Sequence, residues 1–337
     1  MKHWWWKVLA VGLLLFASIA ALRVPLAPAL VHVSPDRIAP GRVELAITGY
    51  NTQFAEGAVV RLTNEGQTVC ASGVSVQGPT HLLARFEVPA GLKANLTDVA
   101  VDGLAYKGAL FTEGRGAGIA SQECPTRLDA ANSFPERTPF AFPNRSILYE
   151  SIRNLHFHVP MWFAMIALMG ISVFHSIRTL GSDSLDHDLA AVSAARTGLV
   201  FCGLGLMTGA LWARATWGAF WTNDVKLNGA AVTALIYLAY LVLRGSVPDA
   251  HKRARLAAIY NIFAFVLLVL FLFVVPRLNA IDSLHPGNGG NSGFGDLDLD
   301  NRLRIIFYPA VLGWVLLGVW MAHLKQRAAR LAETIDR

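Results

Sequence analysis

Charge is scarce in this sequence. Only 15% of its 337 residues are Asp, Glu, Lys or Arg, whereas soluble domains carry about a quarter, and the shortfall is concentrated in the C-terminal half. A hydrophobic fraction of 54% and a mean hydropathy of +0.43 likewise argue against a purely soluble protein. The net charge of +6 is modest, and the basic residues do not interleave with aromatics along one face, so no nucleic-acid partner is expected. Catalytic signatures are missing too. There is no Walker motif and no Ser-His-Asp or Cys-His nucleophile pattern. GRGAGIA (Gly114 to Ala120) does not open a helix after a strand, so it does not read as a nucleotide site. DLDLDN (Asp296 to Asn301) lacks the spacing and glycine of a Ca²⁺ loop and reads as a solvated turn. No internal repeat is present.

What is there begins with six apolar runs: Trp4 to Leu22, Val159 to His175, Thr197 to Trp212, Gly229 to Val242, Leu256 to Val275 and Ile305 to Ala322. Several fall short of the roughly 20 residues that cross about 30 Å of hydrocarbon, so interfacial Trp and tilt are expected to complete them. With the N-terminus cytoplasmic, Lys2, Lys7, Arg178, Arg196, Arg244, Lys252, Arg253, Arg255 and the tail with Lys325, Arg327, Arg330 and Arg337 all fall inside. The opposite short loops hold only Arg214, Lys226, Arg277, Arg302 and Arg304, and the positive-inside rule selects this topology. The first run has two readings. MKHWWWK followed by VLAVGLLLFASIAA resembles a signal peptide with small residues at Ser18 and Ala20. Trp4, Trp5 and Trp6 favour an uncleaved interfacial anchor.

Between Leu22 and Arg153 the pattern changes to short, partly alternating stretches: Val43 to Tyr50, Ala58 to Thr63, Thr68 to Val76, His81 to Val88 and Leu96 to Val101. Turn-forming Gly, Pro, Asn and Asp separate them, as in a β-sandwich, and the opening VSPDRIAPGRVELAITGY suits an exported immunoglobulin-like module. Cys70 and Cys124 lie in this part, where a disulfide is permitted, while Cys202 falls inside an apolar run and reads as a packing residue. The fold class expected is an all-α polytopic membrane protein of about six transmembrane helices with an inserted β-sandwich. Its parts would be a first helix at 1–27, the sandwich at 28–125, a Pro-rich linker at 126–152 and a five-helix membrane domain at 153–337.

The chemistry sits in WARATWGAFWTNDVK (Trp212 to Lys226), where Trp212, Trp217 and Trp221 precede Asp224 between two apolar runs. Indoles beside a carboxylate at a membrane edge offer a surface to a flat aromatic ligand such as haem. Topology leaves His156, His158 and His285, of ten histidines, on the same outer face. His158 opens HVPMWF, and Pro160 suits the first turn of a helix, with Val159 held extended and Trp162 one turn below. His285 lies in the Gly-rich LHPGNGG. Two imidazoles approaching from opposite sides can fill both axial positions of a haem iron, and at least one outer-face cation, among Arg214, Lys226, Arg277, Arg302 and Arg304, would pair with a propionate. Aromatic-belt tryptophans, an interfacial His158, a turn-forming His285 and a helix-capping Asp224 are the plainer alternatives.

WGAFWTNDVKLN (Trp217 to Asn228), HVPMW and LHPG together resemble the haem-handling proteins of bacterial cytochrome c maturation, specifically the haem exporter protein C (CcmC) family with its tryptophan-rich WWD loop. The resemblance covers about Arg153 to the C-terminus. It implies that His158 and His285 are the axial pair, that Trp217, Gly218, Trp221 and Asp224 match the loop, and that His156 has no counterpart. It further implies a transient, non-covalent b-type haem, an inner-membrane location with residues 28–152 periplasmic, a periplasmic haem chaperone and an ATP-binding cassette assembly as partners, and no enzymatic turnover. The sequence departs from the pattern at Asn223, Lys226 and Asn228, and residues 25–150 have no counterpart in the family. Two other readings are a haem lyase relative, disfavoured because His175 has no evident buried partner, and a membrane-anchored scaffold, for which five further spans are excessive.

Overall fold

The computed structural model describes residues 4–114, 116, 121–125, 140–145, 147–182, 184–278, 283–285, 295 and 298–335. Most of GRGAGIA, the greater part of the linker expected at 126–152, the Gly-rich residues after His285 and part of DLDLDN therefore lie outside the described residues. The chain forms two compact units, Met1–Arg23 together with Ser151–Arg337, and Val24–Glu150.

The first unit contains six helices long and apolar enough to cross a membrane. They are α1 (Trp5–Arg23), α2 (Leu155–Ser182), α3 (Leu185–Trp217), α4 (Val225–Ser246), α5 (Ala250–Val269) and α6 (Asn301–Ile335). Each apolar run lies largely in one of these helices, the run Leu256 to Val275 passing beyond α5 into a π-helical turn (Leu270–Val274) and a 3-10 turn (Val275–Arg277), and most of the helices run on into polar residues. Thus α3 has 33 residues, about 50 Å at 1.5 Å per residue; polar turns, rather than tilt alone, complete the spans. One local expectation fails. Pro160 lies inside α2 and Val159 is helical, not extended. A 3-10 segment, Tyr149–Asn154, starts the coil earlier. A helix-interior proline costs about 3 kcal/mol, whereas unwinding backbone in lipid costs several kcal/mol for every polar group exposed.

Close packing of α2 on α3 depends on glycine. A Cβ added at Gly198 would lie 2.8 Å from Met169 Cε, and one at Gly205 2.9 Å from Trp162 Cε2. Buried polar contacts complete the bundle. Asn261 Nδ2 of α5 donates to Ser172 Oγ (2.7 Å) and Ser176 Oγ (2.8 Å) of α2. Arg244 of α4 makes a bidentate pair with Asp188 of α3 at 2.5 and 2.7 Å. α1 lies against α6, where Gly313 leaves room for Leu14. Cys202 is 2% exposed and fills space in the helical core.

The second unit contains β1 (Ala29–Ser34), β2 (Arg37–Ile38), β3 (Gly41–Tyr50), β4 (Val60–Asn64), β5 (Gln67–Cys70), β6 (Gly73–Gly78), β7 (His81–Val88), β8 (Asp98–Val101), β9 (Leu104–Ala105) and β10 (Phe111–Thr112). Two four-stranded antiparallel sheets, β1-β3-β7-β6 and β5-β4-β8-β9, share one core, with Leu45, Ile47 and Phe86 from one meeting Val60, Leu62 and Val99 from the other. β2 and β10 form a short parallel pair. The alternation of β7, with Leu82, Ala84, Phe86 and Val88 buried, is the period-two signature of a half-buried strand. The stretch Thr68 to Val76 is not one strand. Ala71 N–H donates to Val60 of one sheet and Ser72 N–H to Arg85 of the other, so the chain changes sheets between adjacent residues. Cys70 and Cys124 are disulfide-bonded across a sequence separation of 54, a closure that removes about 4 kcal/mol of denatured-state entropy in the chain-entropy account. Phe142, fully buried, exchanges backbone hydrogen bonds with Pro25 and Ala27, so this part of the expected linker is packed within the unit.

Candidate functional site

The end of the helical unit where α2 starts and α3 stops gathers most of the site residues expected from sequence. His158 sits in the second turn of α2. Its Nδ1 lies 3.1 Å from Thr208 Oγ1, and the Thr208 hydroxyl donates to the carbonyls of Leu204 (2.8 Å) and Gly205 (3.2 Å). With its proton committed there, the threonine oxygen accepts from His158, so Nδ1 carries the hydrogen. His158 Nε2 then holds the lone pair and accepts a long bond, 3.3 Å, from Trp162 Nε1–H one turn on. Trp162 and Trp212 flank the imidazole edge-on at ring-centroid distances of 6.1 and 5.7 Å. Trp212 is held in turn by its Nε1–H bond to Ser151 Oγ at 3.1 Å. His156 is 1% exposed; two residues away on a helix, it lies on nearly the opposite face and does not share these neighbours.

Three residues that build this seat were not singled out from the sequence. A Cβ at Gly209 would fall 2.6 Å from His158 Cε1, so the imidazole rests on bare helix backbone. Gly205 does the same for Trp162, and Thr208 supplies the hydrogen bond. The signal was present: Gly205-Leu206-Met207-Thr208-Gly209 is a G-x-x-x-G in an apolar helix, the pattern that admits close approach of a neighbouring helix.

The other seat follows α3 to its end. Gly218 takes φ +80°, a left-handed conformation that closes α3 at little cost because glycine has no Cβ. Arg214 donates to the Gly218 carbonyl and lies over the Phe220 ring. Trp217, on the last turn, packs edge-on against His285 with ring centroids 5.1 Å apart. Trp212 and Trp217 are five residues apart on one helix, about 7.5 Å along its axis, so α3 brings the surroundings of both histidines to the same end of the bundle. Trp221 is 45% exposed, and its Nε1–H donates to Asn228 Oδ1 (3.3 Å), which is bonded through Nδ2 to Asn223 Oδ1 (2.8 Å). Two of the positions that depart from the WWD pattern are thus each other's partners and orient a loop tryptophan.

Asp224 performs two tasks. It is the N-cap of α4, Oδ1 accepting from the N–H of Lys226 (2.9 Å) and Leu227 (3.3 Å), so the helix starts at Val225. It also ties down the segment carrying His285: Oδ2 accepts from Ser283 Oγ (2.7 Å) and Leu284 N–H (2.8 Å), and Oδ1 lies 3.0 Å from His285 Nδ1. Burial by itself raises the carboxyl's pKa. Hydrogen bonds from His285, Ser283 and Leu284 outweigh burial and hold it well below the usual carboxylate range. An ionised carboxylate only accepts, so His285 also carries a hydrogen on Nδ1 and directs it at Asp224. Lys226, half-buried on the first turn of α4, is within electrostatic range of Asp224, Arg277 and Asp298. Arg277 donates to the Phe273 carbonyl at 2.8 Å. Arg304 bonds Asn301 Oδ1 at 3.0 Å.

At the far end of α2 the structure corrects another expectation. His175 has a partner: its Nδ1 lies 3.1 Å from His187 Nδ1. Axial ligands on opposite faces of one porphyrin need about 4 Å between nitrogens, two bonds of about 2 Å. This hydrogen-bonded pair leaves no room for a macrocycle.

The sequence model of the family described as CcmC, Heme exporter protein C, matches residues 140–336. The chain is 30% identical over 180 residues to Heme exporter protein C of Bradyrhizobium diazoefficiens, covering 53% of this chain and 68% of that protein. It is 26% identical over 190 residues to the Haemophilus influenzae protein of the same name (56% and 74%) and 25% identical over 180 residues to that of Escherichia coli K12 (52% and 69%).

Proposed function

Because the chain belongs to the heme exporter protein C family, we propose that it binds a b-type haem non-covalently and transiently between His158 and His285, and passes it to a periplasmic haem chaperone. The family places the protein in haem export for cytochrome c maturation, and with six apolar helices it is a multi-pass protein of the inner membrane. The observation that carries the proposal is the matched state of the two imidazoles. Each is held through Nδ1, by Thr208 or Asp224, each packs against a tryptophan from the final turns of α3, and Nε2 is the nitrogen each would turn to a metal, His158 exchanging its long bond from Trp162 for it. That donor set suits haem iron. The exposed Trp221 supplies a face for the macrocycle, with Gly218 making the turn that carries it. Arg214 and Arg277, each bonding a backbone carbonyl through one nitrogen, keep further guanidinium donors for a propionate, and Lys226 adds a charge nearby.

The distribution of Lys and Arg supports cytoplasmic termini and a periplasmic segment 28–152, with α1 retained. Within that segment the sheet orders β1-β3-β7-β6 and β5-β4-β8-β9 support the immunoglobulin-like reading, since the first sheet follows the A-B-E-D order and the second contains C-F-G. An ATP-binding cassette assembly is the partner expected to supply energy, because transfer rather than turnover is the role assigned to this chain. The 3.1 Å between the Nδ1 atoms of His175 and His187, too close to span a macrocycle, supports the transfer reading over the lyase alternative with its second bis-histidine haem. The proposal is tested by absorption spectroscopy of the purified protein in detergent. His158→Ala and His285→Ala each weaken or shift the Soret band, their combination abolishes haem binding, and His156→Ala leaves it intact. Haem binding that survives the double substitution refutes the assignment.

A further inference from the structure

His175 lies 17 residues beyond His158 on α2, about 25 Å along the helix, so its surroundings form a separate place at the opposite end of the bundle. It meets His187, on the first turn of α3, with ring centroids 5.3 Å apart and an interplanar angle of 36°. The two Nδ1 atoms are 3.1 Å apart. Beside His175 is a cavity of about 50 Å³ whose polar lining is His175 with His323 and Gln326 of α6, the remainder being apolar side chains such as Leu168, Ile171 and Val319. It exceeds the roughly 10–15 Å³ that admits a water. This cluster belongs to none of the machinery described above.

We propose that His175 and His187 form a two-imidazole chelate for a borderline divalent transition-metal ion, of which Zn²⁺ is the working example. Two nitrogens 3.1 Å apart subtend an angle of about 100° at an ion bound at about 2.0–2.1 Å, between the octahedral and tetrahedral values. In the metal-free pair one Nδ1 carries the hydrogen and the other accepts it. On metal binding that hydrogen moves, through solvent, to Nε2 of the same ring. Both rings stay neutral, both Nδ1 lone pairs face the ion, and no proton is gained or lost. Among the described residues no group of three or more His, Cys, Asp or Glu is arranged as a metal centre, so solvent water completes the coordination of the proposed ion. The donor set selects the ion class: imidazoles suit Zn²⁺, Cu²⁺ and Ni²⁺, while Mg²⁺ and Ca²⁺ require oxygen ligands. The inference does not rest on the haem reading.

The test uses full-length protein without a polyhistidine tag, in detergent, carrying His158→Ala and His285→Ala so that the other histidine pair cannot contribute. Zn²⁺ affinity is measured by competition with a chromophoric zinc indicator. One Zn²⁺ per chain is expected, with affinity reduced at least tenfold by His187→Ala and equally by the milder His187→Gln, which keeps a polar side chain in place. On the otherwise native chain, His187→Gln leaves the haem Soret titration unchanged. No Zn²⁺ binding by the parent, or affinity that is the same with and without His187, overturns the proposal.

Discussion

His158 and His285 present the same nitrogen to their surroundings, but one is seated in a helix–helix contact and the other on a short segment tied to a single carboxylate. Around His158, Gly209 gives up its side chain, Thr208 supplies a neutral hydroxyl and Trp162 closes the far side. The ring cannot shift without moving α2 against α3. Around His285, one carboxylate, Asp224, bonds the ring, the preceding backbone N–H and the Ser283 hydroxyl, while Trp217 packs against the ring. A charged partner also makes an imidazole more basic than a hydroxyl does. The pair therefore combines a rigid, weaker donor with a tethered, stronger one. On the proposed haem assignment, the tethered ligand is the one that can let go.

Substitutions can break this contrast. The largest effect is expected from Asp224→Ala, which removes a helix cap worth about 1 kcal/mol together with the whole tether. Haem affinity should fall about 10- to 100-fold, as for lost outer-shell partners of metal ligands, measured by Soret titration; wild-type affinity would show that His285 needs no tether. Asp224→Asn, which keeps one acceptor oxygen and no charge, should fall in between. Gly209→Ala comes next. Its methyl would stand 2.6 Å from His158 Cε1, and overpacking of this kind costs about 1–3 kcal/mol. A lower unfolding midpoint in detergent and a disturbed His158 seat are expected, and an unchanged midpoint would mean that α2 and α3 can yield there. Thr208→Val removes one neutral hydrogen bond, about 1 kcal/mol, so haem affinity should drop by less than tenfold. If Thr208→Val weakened binding more than Asp224→Ala, the ranking of the two seats would be reversed. The smallest effect is expected from Asn228→Ala, within about 0.5 kcal/mol as usual for exposed positions. Its readout is a red-shifted tryptophan emission as Trp221 loses its partner.

Much of the fold was legible because its signals are local. Six apolar runs and the side on which Lys and Arg gather need only composition along the chain, since lipid admits little besides helices. The alternation His81 to Val88 likewise announced a strand, since every second residue meets the core. The stretch Thr68 to Val76 misled because nothing in its side chains marks the point at which the backbone passes from one sheet to the other. Pro160 misled for a related reason: its local preference is real but smaller than the cost of opening a helix in lipid. At the site, the tryptophans, His158, His285 and Asp224 stood out by residue type and order. Gly205, Thr208 and Gly209 did not, although the G-x-x-x-G was there to be read.

By itself, the sequence determined that this chain enters the membrane and that an all-β segment interrupts the helices, because each depends on chemistry carried by neighbours in the chain. Only the tertiary structure decided that Asp224 serves α4 and His285 together, that Gly209 is the floor beneath His158, that Cys70 meets Cys124, and that His175 faces His187 rather than a second haem. These are contacts between residues some 12 to 61 positions apart, and side-chain contact at such range is set by how helices and sheets pack, which no local pattern encodes.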